Sequence, residues 1–157
     1  MTEQRVEHDA KGDVTVSADR HWGAQTQRAL LNFAISTERM TTEFLRALAL
    51  TKRAAAVVKE ALGPMNTAKA STVVAADEVC AGQHDAEFPL PVLQTGSGTQ
   101  THMNMNTVLT NLASVRLGGS LGKQRLVRAN DDVNRGQLSN DVVPTVLNCG
   151  RCGGVAP

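Results

Sequence analysis

The chain has no tyrosine, one tryptophan and three phenylalanines in 157 residues. A core of stacked rings is excluded, so Leu, Val, Ala and Met must fill whatever interior forms. That favours packed helices over a sandwich of short strands. Cysteine is equally sparse: Cys80 stands alone, and Cys149 and Cys152 sit near the C-terminal end. An odd count distributed this way is not a disulfide framework. One CxxC without a second Cys or His pair falls short of the roughly four ligands zinc requires, so no metal is expected.

An excess of one charge is also missing. Lys and Arg number 16 against 15 Asp and Glu, leaving a net charge of +1. With no basic run and no interleaved aromatics, no nucleic-acid partner is expected. No apolar run approaches the ~20 residues of a membrane span, and the polar opening Met1 to Glu7 lacks the apolar segment of a secretory signal. No membrane partner is expected, and the expected location is cytoplasmic. What remains, 41% hydrophobic and 20% charged, is the composition of an ordinary globular domain.

The most distinctive stretch is Gln94-Thr95-Gly96-Ser97-Gly98-Thr99-Gln100-Thr101, followed by Met103-Asn104-Met105-Asn106. Glycine lets the backbone approach a ligand closely, and hydroxyls with the free N–H groups of a helix start offer donors to an anion. An ordinary polar loop with a helix cap explains the same residues. A second polar cluster, Asn130-Asp131-Asp132-Val133-Asn134 and Gln137-Leu138-Ser139-Asn140-Asp141, precedes Pro144. It reads as another helix N-terminus capped by Asn140 or Asp141. Two such termini could converge on one dicarboxylate, although local sequence does not say whether they meet.

Between these landmarks, residues 5–17 alternate weakly around Val6, Val14 and Val16, and Lys11-Gly12-Asp13 predicts the turn of a small hairpin. Apolar spacing predicts a helix from Thr42 to Leu62, stopped by Gly63-Pro64. A second is expected from Asn66 or Thr67 to about Cys80. A third begins near Asn104 and ends at Gly118-Gly119. Phe88-Pro89-Leu90-Pro91 should be extended.

His21-Trp22-Gly23-Ala24-Gln25-Thr26-Gln27-Arg28, Glu38-Arg39-Met40, Ala75-Ala76-Asp77-Glu78-Val79, Ala81-Gly82, Phe88-Pro89-Leu90 and the Gln94–Thr101 loop occur in an order that resembles the class II fumarases of the fumarase/aspartase superfamily. The resemblance covers residues 5–145, roughly the first third of a family member. It implies a mainly α fold: the N-terminal domain of the fumarase/aspartase fold over 1–137, with a small β-hairpin, and the start of the central helical-bundle domain over 138–147. It also implies a homotetrameric lyase of the tricarboxylic acid cycle that hydrates fumarate to L-malate without a cofactor. Ser97, Thr99, Ser139 and Asn140 match substrate-binding positions. Arg128, Asn130 and Asp131 match a second dicarboxylate site. The family's catalytic His and Ser belong to later regions, so no catalytic residue is assigned and the chain alone is expected to be inactive. Aspartase or another superfamily lyase is the enzyme alternative, although the Trp22–Arg28 segment favours fumarase. A non-catalytic dicarboxylate-binding or interaction fragment is the other alternative.

Three positions depart from the family pattern. Arg128-Ala129 replaces His-Pro, Leu138 replaces the first serine of Ser-Ser-Asn, and His102 replaces an asparagine. His102 is expected to be a tolerated surface or loop substitution. The tail 148–157, rich in glycine and cysteine, is expected to be disordered rather than to continue a helix. Its Cys-Gly-Arg-Cys-Gly-Gly can be encoded by bases that give an alanine run when read one nucleotide later. This points to a frameshift at about residue 148, which sequencing of the coding DNA would check.

Overall fold

A computed structural model describes residues 3–62 and 67–151, leaving out the side chains of Thr67, Lys69, Ser97, Lys123 and Arg151. The chain opens with an antiparallel hairpin, β1 (Gln4–Asp9) and β2 (Gly12–Ser17), in which Asp9 pairs with Gly12. The turn is therefore Ala10-Lys11. Gly12 follows it at φ 104°, a left-handed value that costs glycine little. Buried Glu7 ties the hairpin to the rest of the molecule by accepting from Arg5 Nε at 3.0 Å and from Arg125. Arg28 reaches back to Asp9 Oδ2 at 2.9 Å and to the Gly12 carbonyl at 3.0 Å.

Among the described residues five α-helices follow: α1 (Ala24–Asn32), α2 (Thr42–Ala61), α3 (Thr67–Cys80), α4 (Thr99–Arg116) and α5 (Ser139–Arg151). The start of α2 is explicit in its residues. Extended Thr41 accepts the Phe44 N–H at 3.3 Å, and Glu43 in the first turn complements the helix dipole. Its buried stripe is Leu45, Leu48, Ala49, Lys52 and Ala56, the spacing of one helix face. Ala49, Ala75, Ala76 and Ala113 are fully buried, so α2, α3 and α4 contribute small side chains to the interior. Val16 and Trp22 join this core from the hairpin side.

The central helix is α4, and seven of its buried residues are polar: Thr101, His102, Asn104, Asn106, Thr110, Asn111 and Ser114. Several of them tie down connecting segments. Asn104 Nδ2 donates to the Glu87 carbonyl at 3.0 Å, Asn111 Nδ2 to the His21 carbonyl at 2.6 Å, and Ser114 Oγ accepts the Val127 N–H at 3.0 Å.

The hairpin, α2 and α3 follow the sequence expectation, except that the turn is Ala10-Lys11 rather than Lys11-Gly12-Asp13, with Gly12 and Asp13 already in β2; Gly63, Pro64 and Asn66 lie outside the described residues. Other expectations need correction. The helix expected near Asn104 begins at Thr99, five residues earlier, because Gly98 supplies its cap position with φ 64° and ψ 21°. α1 had no counterpart in the sequence reading. α5 begins at Ser139, and the Leu138 carbonyl accepts from both Asp141 and Val142, so neither Asn140 nor Asp141 is the cap. It then runs through Pro144 to Arg151, so Asn148–Arg151 is helical where a break was expected. A single interior glycine costs only about 1 kcal/mol, too little to stop a helix by itself. Residues 152–157, including Cys152, lie outside the described residues.

Candidate functional site

The glycine loop folds as a short 3-10 turn, Gly96–Gly98, leading directly into α4. Its shape is held from below. Gln94 Oε1 accepts the Thr101 N–H at 2.8 Å, while Gln94 Nε2 lies 2.7 Å from the Pro91 carbonyl and 2.8 Å from Thr101 Oγ1. Thr99 Oγ1 donates to the Gly96 carbonyl at 3.2 Å, and its residue is only partly buried. The Ser97 side chain, expected to bind substrate, lies outside the described residues.

The two polar clusters meet. A Cβ placed on Gly98 would stand 3.2 Å from Val143 Cγ1, so the loop rests directly against the first turns of α5. One turn further into α4, His102 Nδ1 lies 2.7 Å from Ser139 Oγ, the first residue of α5. The N-termini of α4 and α5 are thus adjacent, bringing their free N–H groups and partial positive charge to one region. Thr99 and Ser139 belong to this region, and Asn140 follows Ser139 with an exposed side chain.

His102 is not the expected surface or loop substitution: it is fully buried within α4. Behind it lies Lys52, only 1% exposed, with Nζ 2.6 Å from His102 Nε2. The same ammonium donates to Asn134 Oδ1 at 3.0 Å and to Gln137 Oε1 at 2.8 Å. Gln137 Nε2 in turn donates to the Val133 carbonyl at 2.9 Å, which leaves its oxygen facing the lysine. Burial, with the nearby Lys59 charge, lowers Lys52 to about 7. Burial and the Lys52 charge lower His102 to about 4, so the imidazole is neutral at neutral pH. The sequence reading did not find Lys52. Its signal was a lysine on the apolar stripe of α2, between Ala49 and Ala56.

Arg128, Asn130 and Asp131 lie apart from this buried cluster, with exposed side chains around the π-helical turn Ala129–Val133. Arg128 Nη1 stands 3.6 Å from Asp131 Oδ2, so the cation already faces a carboxylate. Among the described residues no group of three or more His, Cys, Asp or Glu side chains could hold a metal ion, and no helix is long and apolar enough to cross a membrane.

A sequence family described as lyase matches residues 12–150. The chain belongs to this lyase family. Its similarity to "Fumarate hydratase class II" of Myxococcus xanthus is 60% identity over 92% of this chain and 31% of that protein. The corresponding Yersinia pestis protein is 54% identical over 99% of this chain and 34% of its own length. The chain spans about one third of the curated relatives it matches. Among solved structures, the recombinant class II fumarase of Schistosoma mansoni superimposes with a TM-score of 0.90, at 43% identity over 94% of this chain and 32% of that chain. A Brucella melitensis fumarate lyase:delta crystallin bound to cobalt gives 0.89, at 35% identity over 94% of this chain and 33% of its own. The mostly helical build with one hairpin is the N-terminal region of the fold these lyases share.

Proposed function

We propose that this lyase chain serves as the carboxylate-binding N-terminal region of a class II fumarate hydratase, which adds water reversibly across fumarate to give L-malate. The observation that carries the reading is the meeting of the α4 and α5 N-termini, seen in the Gly98–Val143 approach and the His102–Ser139 hydrogen bond. Interconverting malate and fumarate through a carbanion puts negative charge on the adjacent carboxylate. Fixed donors aimed at those oxygens lower its cost. In this reading Ser97, Thr99, Ser139 and Asn140 hold the substrate carboxylate, together with the helix N–H groups. The proton-moving groups come from the family's later regions.

Arg128, Asn130 and Asp131 form a second, weaker dicarboxylate site, where an incoming anion competes with Asp131 for the guanidinium. The enzyme is a homotetramer acting in the cytoplasmic tricarboxylic acid cycle, as the high identity to class II fumarate hydratases supports. Calorimetric titration of the full 157-residue chain with fumarate and L-malate, beside an absorbance assay of fumarate loss, tests the reading. Binding without turnover is expected, and absence of binding to either dicarboxylate would overturn it.

A further inference from the structure

Lys52, His102 and Ser139 form a chain of hydrogen bonds from the interior to the N-terminus of α5. A lysine ammonium has three N–H donors and no acceptor. Around Lys52 stand three matching acceptors, His102 Nε2 at 2.6 Å, Asn134 Oδ1 at 3.0 Å and Gln137 Oε1 at 2.8 Å. The Gln137 orientation is fixed independently by its bond to the Val133 carbonyl. A neutral imidazole whose Nε2 lone pair is occupied by such a donor carries its proton on Nδ1. That nitrogen faces Ser139 Oγ at 2.7 Å.

We propose that His102 is a positioning residue for Ser139: Lys52 holds the imidazole as its Nδ1–H tautomer, which donates to Ser139 Oγ and turns the serine's own O–H proton outward to a ligand carboxylate. A serine hydroxyl has one proton and two acceptor positions. If its neighbour accepted from it instead, that proton would be lost to the ligand. With the Nδ1–H donor behind it, Ser139 presents a donor to the region where the N-termini of α4 and α5 lie side by side. The inference rests on the proposed carboxylate site for its ligand, whereas the tautomer is a property of the unliganded chain.

Two readouts on the full chain separate these layers. Nitrogen-15 NMR of the imidazoles at pH 6, below the value of about 7 for Lys52, reads the tautomer, with the His102 signals identified by their loss in His102→Asn. An Nδ1–H form is expected, shifting toward Nε2–H in Lys52→Met. An Nε2–H form in the unsubstituted chain overturns the proposal whether or not fumarate binds. In calorimetry, His102→Leu should weaken fumarate binding about tenfold. His102→Asn, whose amide nitrogen can sit where Nδ1 sits, should stay within about threefold of the original. A folded leucine variant that binds as tightly as the unsubstituted chain, or an asparagine variant that loses binding as the leucine variant does, would also overturn it. If the leucine variant does not fold, the tautomer and the asparagine variant still decide. If the unsubstituted chain binds no fumarate, the carboxylate-site reading fails while the NMR result still rules on the relay.

Discussion

His102 makes the chain acid-sensitive in a way that can be assigned to one side chain. Its folded value of about 4 lies below the ordinary 6.5, and burial is the leading cause. Between those values the unfolded chain binds more protons than the folded one, so stability rises as pH increases from 4 to 6.5. Below 4 the penalty is fully present. The group is completely buried, and the span corresponds to a loss on the order of 3 kcal/mol on acidification. Lys52 has the same sign in a higher window, with stability gained as pH rises from about 7 to the ordinary 10.5. Buried carboxylates such as Glu87, whose value hydrogen bonding from His21 holds down against burial, also lose stability in acid. The comparison that isolates the imidazole is therefore urea unfolding of the chain and His102→Asn at pH 4.5 and 7. The variant should lose less between the two. Gly98 supplies a second residue-scale prediction. At φ 64°, with Val143 Cγ1 3.2 Å from where a Cβ would stand, it faces both backbone strain and a close contact on substitution. Gly98→Ala should cost about 1–3 kcal/mol in urea unfolding and weaken fumarate binding, because it shifts the loop against α5.

At the scale of elements, α5 carries a proline as its sixth residue. Pro144 has no N–H to give the Asn140 carbonyl, the bond a helix would otherwise form there. Pro144→Ala should raise the melting temperature by an amount equivalent to about 1–2 kcal/mol, since the added helix bond is partly offset by a more flexible unfolded chain. A lowered melting temperature would show that the proline instead sets the α5 entry angle. The same proline shows what sequence could and could not reveal. It marked a helix N-terminus in the right neighbourhood, but the cap fell on Leu138, a residue with no side-chain capping chemistry. α2 was legible because Thr41, Glu43 and an apolar stripe all agree. α4 was half-hidden because its buried positions include Asn, Thr, Ser and His, of which Thr101, Asn104, Asn111 and Ser114 hold connecting segments, so the buried face is not a purely hydrophobic one. α1 was missed because it is only nine residues long and mostly polar, burying just Ala24, Thr26 and Ala29. The candidate site was legible in its parts, the glycine loop and the Ser139-Asn140 pair. Their meeting was not, because it depends on a packing contact between residues some forty positions apart. Lys52 could have been found from charge on a buried stripe, but its partners His102, Asn134 and Gln137 come from distant segments.

At the scale of the whole molecule, the described residues leave one side of α2 uncovered. Leu50, Val57 and Val58 are exposed there, the adjacent valines about two turns beyond Leu50, so that they lie on the side opposite the buried Leu45–Ala56 stripe. Leu62 just beyond the helix is 84% exposed, and Leu138 and Leu147 at α5 are more than half exposed. A helix with apolar residues on both faces calls for a partner on each. The buried face already has one, in α3, α4 and α5. Among the described residues nothing covers the outer face, so the chain should self-associate as its concentration rises through the micromolar range. Sedimentation velocity reads this directly, as a weight-average coefficient that climbs with loading. Val57→Lys with Val58→Glu should flatten that climb while leaving the melting temperature within a few degrees, because both side chains are exposed. If the doubly substituted chain associated as before, the outer face of α2 would not be the contact. If the unsubstituted chain stayed monomeric and melted cooperatively, the exposed stripe would carry no association at all.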